Sequence, residues 1–224
     1  MKSSLLFSSY PFITGEKVTL TRVTDMDNGS LWQIFSDEDS HRFTPEGALR
    51  SPRECAAKLR QYETMFQERR GVVLGIYSTL NQLVGLLEIS HIDPQVESVT
   101  LSFILNQEFV GQGFASSAVR AACDYLFRTV GVRRIQCLVL PTNYRAVLVL
   151  ERCGFVKEHH PGGLPLARQG HCGSNHLLPA AHRPGPQKER PHLLPVTKQT
   201  TPRFPKPREG GAVLLLVKGG AHIG

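Results

Sequence analysis

The sequence predicts an α/β domain: a mixed central sheet in the order β-α-α-β-β-β-α-β-α-β, antiparallel in its first half, with helices on its faces. Three observations predict it. Residues 72–77, 83–89 and 99–105 are apolar, β-branched runs separated by the short turns Thr79-Leu80-Asn81-Gln82 and Asp93-Pro94, the pattern of an antiparallel meander. Stretches with apolar residues at helical spacing flank that meander on both sides. After it, helix and strand alternate.

Taken in order, residues 18–23 alternate β-branched and polar side chains and read as the first strand. Asp25 or Asp27 is placed to cap a helix through Leu31, Trp32, Ile34 and Phe35. Ser51-Pro52-Arg53-Glu54 combines an N-cap, a proline at the first helical position and an early acid. Ala56, Leu59, Tyr62, Met65 and Phe66 carry that second helix towards Gly71. Beyond the meander a helix is expected over 114–127, with Ala118, Ala121, Ala122, Tyr125 and Leu126 on its inner side, then a strand over 135–140. A helix over 143–152 stops at Gly154, and Phe155-Val156-Lys157 opens a last strand.

Composition excludes several function classes. The chain has 224 residues and a formal charge of +7, but the charge is not spread evenly. From Glu158 onward nine Lys and Arg face three acids, so residues 1–157 are nearly neutral. A basic stripe of the kind that binds nucleic acid is missing from every predicted helix and strand, so no nucleic-acid partner is expected. Five scattered cysteines without paired spacing argue against both a metal centre and a disulfide framework. No apolar run approaches a membrane span or a signal peptide, so the expected location is the cytoplasm, with no membrane partner.

The stretch that carries chemistry is Leu105-Asn106-Gln107-Glu108-Phe109-Val110-Gly111-Gln112-Gly113-Phe114-Ala115-Ser116. A strand ends, two glycines follow with one residue between them, and a helix begins at once. Small residues there let backbone N–H groups converge, and the helix N-terminus adds its positive end, which makes a diphosphate cradle. A P-loop would need Gly-Lys-Ser/Thr, and a Rossmann site would need GxGxxG opening a βαβ unit; neither is present.

These residues resemble the acyl-CoA motif of the GNAT superfamily of N-acetyltransferases, Q/R-x-x-G-x-G/A, which falls here on Val110, Gly111, Gln112, Gly113, Phe114 and Ala115. A second block, Asn143-Tyr144-Arg145-Ala146 followed by Leu150-Glu151-Arg152-Cys153-Gly154-Phe155, is similar to the family's N-x-x-S/A…E-K-x-G-F. The wording is nearest to the branch that acetylates ribosomal-protein N-termini, and Val110 departs from the usual residue at its position. The resemblance implies the GNAT fold, with acetyl-CoA as cosubstrate and no metal. It also implies transfer to a primary amine, a protein N-terminus or a small amine, by a monomer or homodimer. It places the pantetheine arm against Phe103, Ile104 and Leu105, the diphosphate on Val110 through Ser116, and Asn143 beside the channel.

The acid–base residues are less clearly marked. Where many relatives carry a glutamate this chain has Val99 and Thr100, and where many carry a tyrosine it has Leu150. Glu88, on the neighbouring strand and opposite residues 100–102, is the candidate base, with Glu97 and His91 weaker; Ser116 or Ser117 is expected to cap the helix instead.

After Glu158 the pattern changes abruptly. Residues 158–224 are rich in Pro, His and Arg and hold seven of the nine histidines (His159, His160, His171, His176, His182, His192 and His222). No helical or strand period persists there, so the segment reads as a poorly ordered tail outside the 1–157 domain. The family still requires a closing hairpin at this point. A shift of reading frame fits the change: two His codons before Pro, read one base later, encode Ile or Thr twice. The alternative to an enzyme is accordingly a CoA-binding domain crippled by loss of that hairpin. One segment of the tail, Val213-Leu214-Leu215-Leu216-Val217-Lys218, has the composition of a strand able to take the vacated sheet edge.

Overall fold

The computed structural model describes residues 1–44 and 47–158, together with the backbone of 213–218. The remainder of the tail, where most of the reading-frame expectation falls, lies outside the described residues. The elements are β1 (Ile13–Thr14), β2 (Val18–Thr21), α1 (Asn28–Ser36), α2 (Glu38–His41), α3 (Pro52–Gln67), β3 (Gly71–Ser78), β4 (Leu83–Asp93), β5 (Ser98–Leu105), α4 (Phe114–Tyr125), β6 (Arg134–Val139), α5 (Tyr144–Arg152), β7 (Val156–Glu158) and β8 (Val213–Lys218). The strands form one sheet in the order β1-β2-β3-β4-β5-β6-β8-β7. Every neighbouring pair is antiparallel except β5 with β6.

The mixed α/β sheet is the one the sequence predicts, with local differences. β1 and α2 are too short to carry a period, and the sequence reading passes over both. The helix expected over 114–127 ends its α-helical part at Tyr125 and continues as a π turn from Leu126 to Val130. The expected caps hold in part: Asp27 stands at the N-cap of α1, but its side chain does not bond into that helix. Asp27 turns back to accept from the Thr24 N–H at 2.9 Å, and Gly113, not a serine, precedes α4. Ser117 instead uses its hydroxyl to accept the Lys17 N–H at 3.0 Å, which ties the β1–β2 turn to α4.

Strand alternation divides the core into two layers. Val72, Leu74, Ile76, Leu87, Ile89, Val99 and Leu101 face α4, whose buried Ala118, Ala121 and Ala122 let it lie close to the sheet. Val73, Tyr77, Leu83 and Leu86 face α1 and α3 with Leu31, Ile34 and Phe35. Burial of these side chains, at about 1.5–3 kcal/mol each, is what holds the sheet between its helices.

β8 sits in the middle of the second half-sheet. It pairs with all of β6, from Arg134↔Lys218 to Val139↔Val213, and with all of β7, from Val156↔Leu216 to Glu158↔Leu214. β7 has no other strand partner among the described residues. Six residues of the tail therefore occupy the place of the hairpin strand that the sequence reading found missing. Leu215→Pro removes a ladder donor between Cys137 and Lys157 and forbids the strand at its centre. The expected result is a fall in Tm on the order of 5–10 °C, read by calorimetry; an unchanged Tm would mean that this ladder does not support the domain.

Candidate active site

The sheet opens between β5 and β6. Only three rungs join them: Ser98↔Arg134, Val99↔Ile135 and Thr100↔Gln136. β5 continues to Leu105 and β6 to Val139, so beyond Thr100 the two strands run on without a common ladder. Each is held on its far side, β5 by β4 as far as Gly85↔Leu105 and β6 by β8. Gly85 allows β5 to lean towards β4 at its end, because a Cβ there would collide with the Ile104 carbonyl oxygen and the Leu105 side chain. Asn106 then closes the strand by donating its N–H to the Val84 carbonyl at 2.9 Å. Phe103, Ile104 and Leu105, singled out in the sequence, all lie on the free limb. The Gln136 side-chain amide donates to the Thr100 hydroxyl at 2.9 Å and pins the last rung.

At the mouth of this cleft the chain builds an N–H-rich loop. Asn106 accepts the Glu108 N–H at 3.1 Å and starts a short 3-10 turn. Gly111 and Gly113 both take φ of +87°, a region that costs an L-residue roughly 1–2 kcal/mol. The turn delivers the chain directly into α4. Ser117 is the first residue whose N–H returns to the helix, reaching Gly113 at 3.0 Å. The N–H groups of Gly111, Gln112, Gly113, Phe114, Ala115 and Ser116 meet no acceptor among the described residues. Phe109 and Phe114 brace the loop edge to face, with ring centroids 6.1 Å apart. Val110 is held only through its backbone, donating to Gln107 at 3.2 Å, so its departure from the family pattern leaves the loop geometry intact.

Asn143 stands on the other limb, where its side chain caps α5 by accepting the Ala146 N–H at 3.2 Å. Gln107 links the two sides of the mouth. Its carbonyl accepts from Arg145 Nη1 at 3.4 Å, and its amide donates to Ser40 Oγ at 3.2 Å. Ser40 Oγ in turn lies 3.2 Å from the Leu105 carbonyl. Gln107, Arg145 and Ser40 escape sequence reasoning because each acts on a distant segment; for Ser40 the only local sign is the Asp37 cap of α2.

Glu88 pairs with Val73 on one side and Ser102 on the other, within the register expected from the Pro94 turn. It therefore projects on the α1/α3 face, one strand away from the open limb of β5, and is half-buried. Among the described residues its carboxylate has no hydrogen-bond or ion-pair partner. Glu97 is otherwise committed, since its carboxylate binds Arg133, and it lies at the closed end of β5. His91 is exposed at the same end, in the irregularity of β4 between the rungs Ser90↔Thr100 and Asp93↔Ser98. Leu150 is fully buried in the core and offers no proton.

One thiol borders the last rung. Cys137 is 2 % exposed, and burial pushes its pKa well above the ordinary thiol range, with Cys123 and Cys153 acting in the same direction and the Leu101 backbone against it. It stays protonated at neutral pH and is a poor nucleophile. Burial likewise raises Cys123 to about 12.

Comparison with known proteins agrees with this geometry. The family model described as an acetyltransferase (GNAT) domain matches residues 17–156. A spermidine N(1)-acetyltransferase of Vibrio cholerae is 38% identical over 93 residues, 42% of this chain and 52% of that protein. The [ribosomal protein uS5]-alanine N-acetyltransferase of Escherichia coli is 24% identical over 153 residues, 65% of this chain and 78% of that one. A crystal structure of the Vibrio cholerae spermidine N-acetyltransferase in complex with CoA and spermine superimposes with a TM-score of 0.58 at 23% identity, covering 68% of this chain and 88% of that chain. No helix among the described residues is long and apolar enough to cross a membrane. With the family model running from the start of β2 to the first residue of β7, the cleft and its N–H-rich loop included, this chain belongs to the GNAT acetyltransferase family.

Proposed function

We propose that the chain transfers the acetyl group of acetyl-CoA to a primary amine by direct attack. The observation that carries this reading is the cleft itself: a β5 limb with an unused edge, ending in a loop whose six N–H groups have no acceptor among the described residues. The loop suits a diphosphate, because its donors converge at a helix N-terminus and its positive-φ glycines leave no side chain in the way. Phe103, Ile104 and Leu105 offer the backbone edge on which an amide-bearing pantetheine arm can pair as an added strand would. Val110 through Ser116 hold the diphosphate, and Asn143 closes the opposite wall.

In this arrangement the acceptor nitrogen approaches from the α1/α3 face. It forms a bond to the thioester carbon, and the carbon–sulfur bond breaks. A backbone N–H near Leu105 is aimed at the oxygen that gains charge. Glu88 takes the ammonium proton through a water molecule, and the departing thiolate takes a proton from solvent, since Leu150 cannot supply one. The protonated, buried state of Cys137 favours this single transfer over an acetyl-cysteine intermediate.

The first acceptor class is a protein N-terminal α-amine, as for the uS5-alanine relative. A small polyamine is a second reading with its own support: Asp37, Glu38 and Asp39 cluster where α2 meets the end of β5, and opposite charge there would attract a polycation. β8 fills the hairpin position, which favours turnover over a domain that only binds CoA.

Gly113→Asp forces an L-residue to φ +87° and sets a carboxylate against the diphosphate. Its affinity for CoA in calorimetric titration is expected to fall roughly 30–100-fold, about 2–3 kcal/mol; unchanged affinity would move the cofactor elsewhere. Glu88→Gln should keep CoA affinity while kcat, measured by thiol release at neutral pH, drops about 100-fold. A kcat within twofold of the parent would end the base assignment.

A further inference from the structure

We propose that Lys17 is a phosphate ligand of the cofactor site, supplied by the β1–β2 turn and not by the glycine loop. The inference rests on the acetyl-CoA reading above and adds a residue that neither the motif nor the helix provides. Lys17 is 95 residues away from Gln112 in sequence, yet its Nζ lies 3.3 Å from the Gln112 carbonyl oxygen. The same ammonium is the nearest atom, at 3.4 Å, to the position a Cβ would take on Gly113. It therefore stands beside the two residues at the centre of the loop.

This placement is not the accident of a long side chain. The Lys17 N–H donates to Ser117 Oγ at 3.0 Å, so the backbone from which the side chain springs is fixed to the second turn of α4. The turn is also closed on itself, with the Gly15 N–H donating to the Val18 carbonyl at 2.7 Å. The stem spans from that anchored point to the loop.

The electrostatics are what point to an anion. The N-terminus of α4 is already the positive end of a helix dipole, and the six N–H groups from Gly111 to Ser116 have no acceptor among the described residues. A second positive source is ordinarily disfavoured there. Lys17 forms no ion pair among the described residues, and its hydrogen-bond partner is a neutral carbonyl. A cation held against a helix N-terminus, with no anionic group among the described residues to balance it, is complementary to a group carrying several negative charges. The diphosphate of CoA, which the loop is shaped to receive, is the first such group; the 3′-phosphate on the adenosine is the other. Releasing Nζ from the Gln112 carbonyl costs one exposed hydrogen bond, and a charge-assisted bond to phosphate more than replaces it.

The test is titration calorimetry of the full chain, wild type against Lys17→Gln and Lys17→Arg, with CoA, dephospho-CoA and pantetheine. Lys17→Gln is expected to weaken CoA about tenfold and to flatten the salt dependence of binding, while Lys17→Arg stays within about threefold of wild type. Pantetheine, which carries no phosphate, should bind all three proteins equally. Equal losses for CoA and dephospho-CoA place the ammonium on the diphosphate, and a loss for CoA alone places it on the 3′-phosphate; both support the inference. No loss in Lys17→Gln, or the same loss with pantetheine, overturns it by showing that the lysine has no role or only props the loop. Failure of the wild type to bind CoA at all would instead overturn the cofactor reading beneath it.

Discussion

The structure depends on one constraint, the early end of the ladder between β5 and β6. Two strands that meet in parallel over three rungs and then separate cannot satisfy their facing backbone groups with each other. A folded chain seldom leaves such groups unpaired in its interior, so the gap has to be matched by water or by a ligand with donors and acceptors of its own. Everything around the cleft follows from keeping the limbs apart. β4 and Gly85 draw β5 one way, and β8 holds β6 the other. The loop after β5 and the cap of α5 are the rims of that opening.

This view gives β8 a functional place. Without it β6 would have a free edge, and the simplest way to pair that edge is to move towards β5. A six-residue apolar segment from a proline-rich tail is an unusual source for the strand, but the ladder asks only for backbone groups and side chains compatible with a sheet. The run Val213-Leu214-Leu215-Leu216-Val217 meets that requirement.

Much of the fold could be read from periodicity, because α3, β3, β4, β5, α4 and α5 are long enough to show one. The cofactor loop could be read as well, since Gly111 and Gly113 ahead of a helix make a local pattern. What escaped was of two kinds. β1 and α2 have two and four residues, about one period each, so no pattern can repeat in them. Lys17, Ser40, Gln107 and Arg145 are ordinary polar residues whose meaning comes from partners dozens of positions away, and no local rule brings them together. Glu88 lies between these cases: the turn at Pro94 set its register opposite Ser102, while its half-buried position and lack of a partner needed the fold. The serines expected to cap α4 show the reverse error, because Gly113 holds the N-cap position and leaves the first N–H groups of α4 without a side-chain acceptor, while Ser117 lies inside the helix and holds the β1–β2 turn.

The most direct measurement is amide hydrogen exchange on the free chain and on the chain saturated with acetyl-CoA. The amides of residues 101–105 that face β6, and those of Gly111 through Ser116, should exchange quickly in the free protein and become protected together when acetyl-CoA is present. The amides of residues 98–100, already within the ladder, should change little. If residues 101–105 are protected without acetyl-CoA, or stay open in its presence, then the parting of β5 and β6 is not the cofactor cleft.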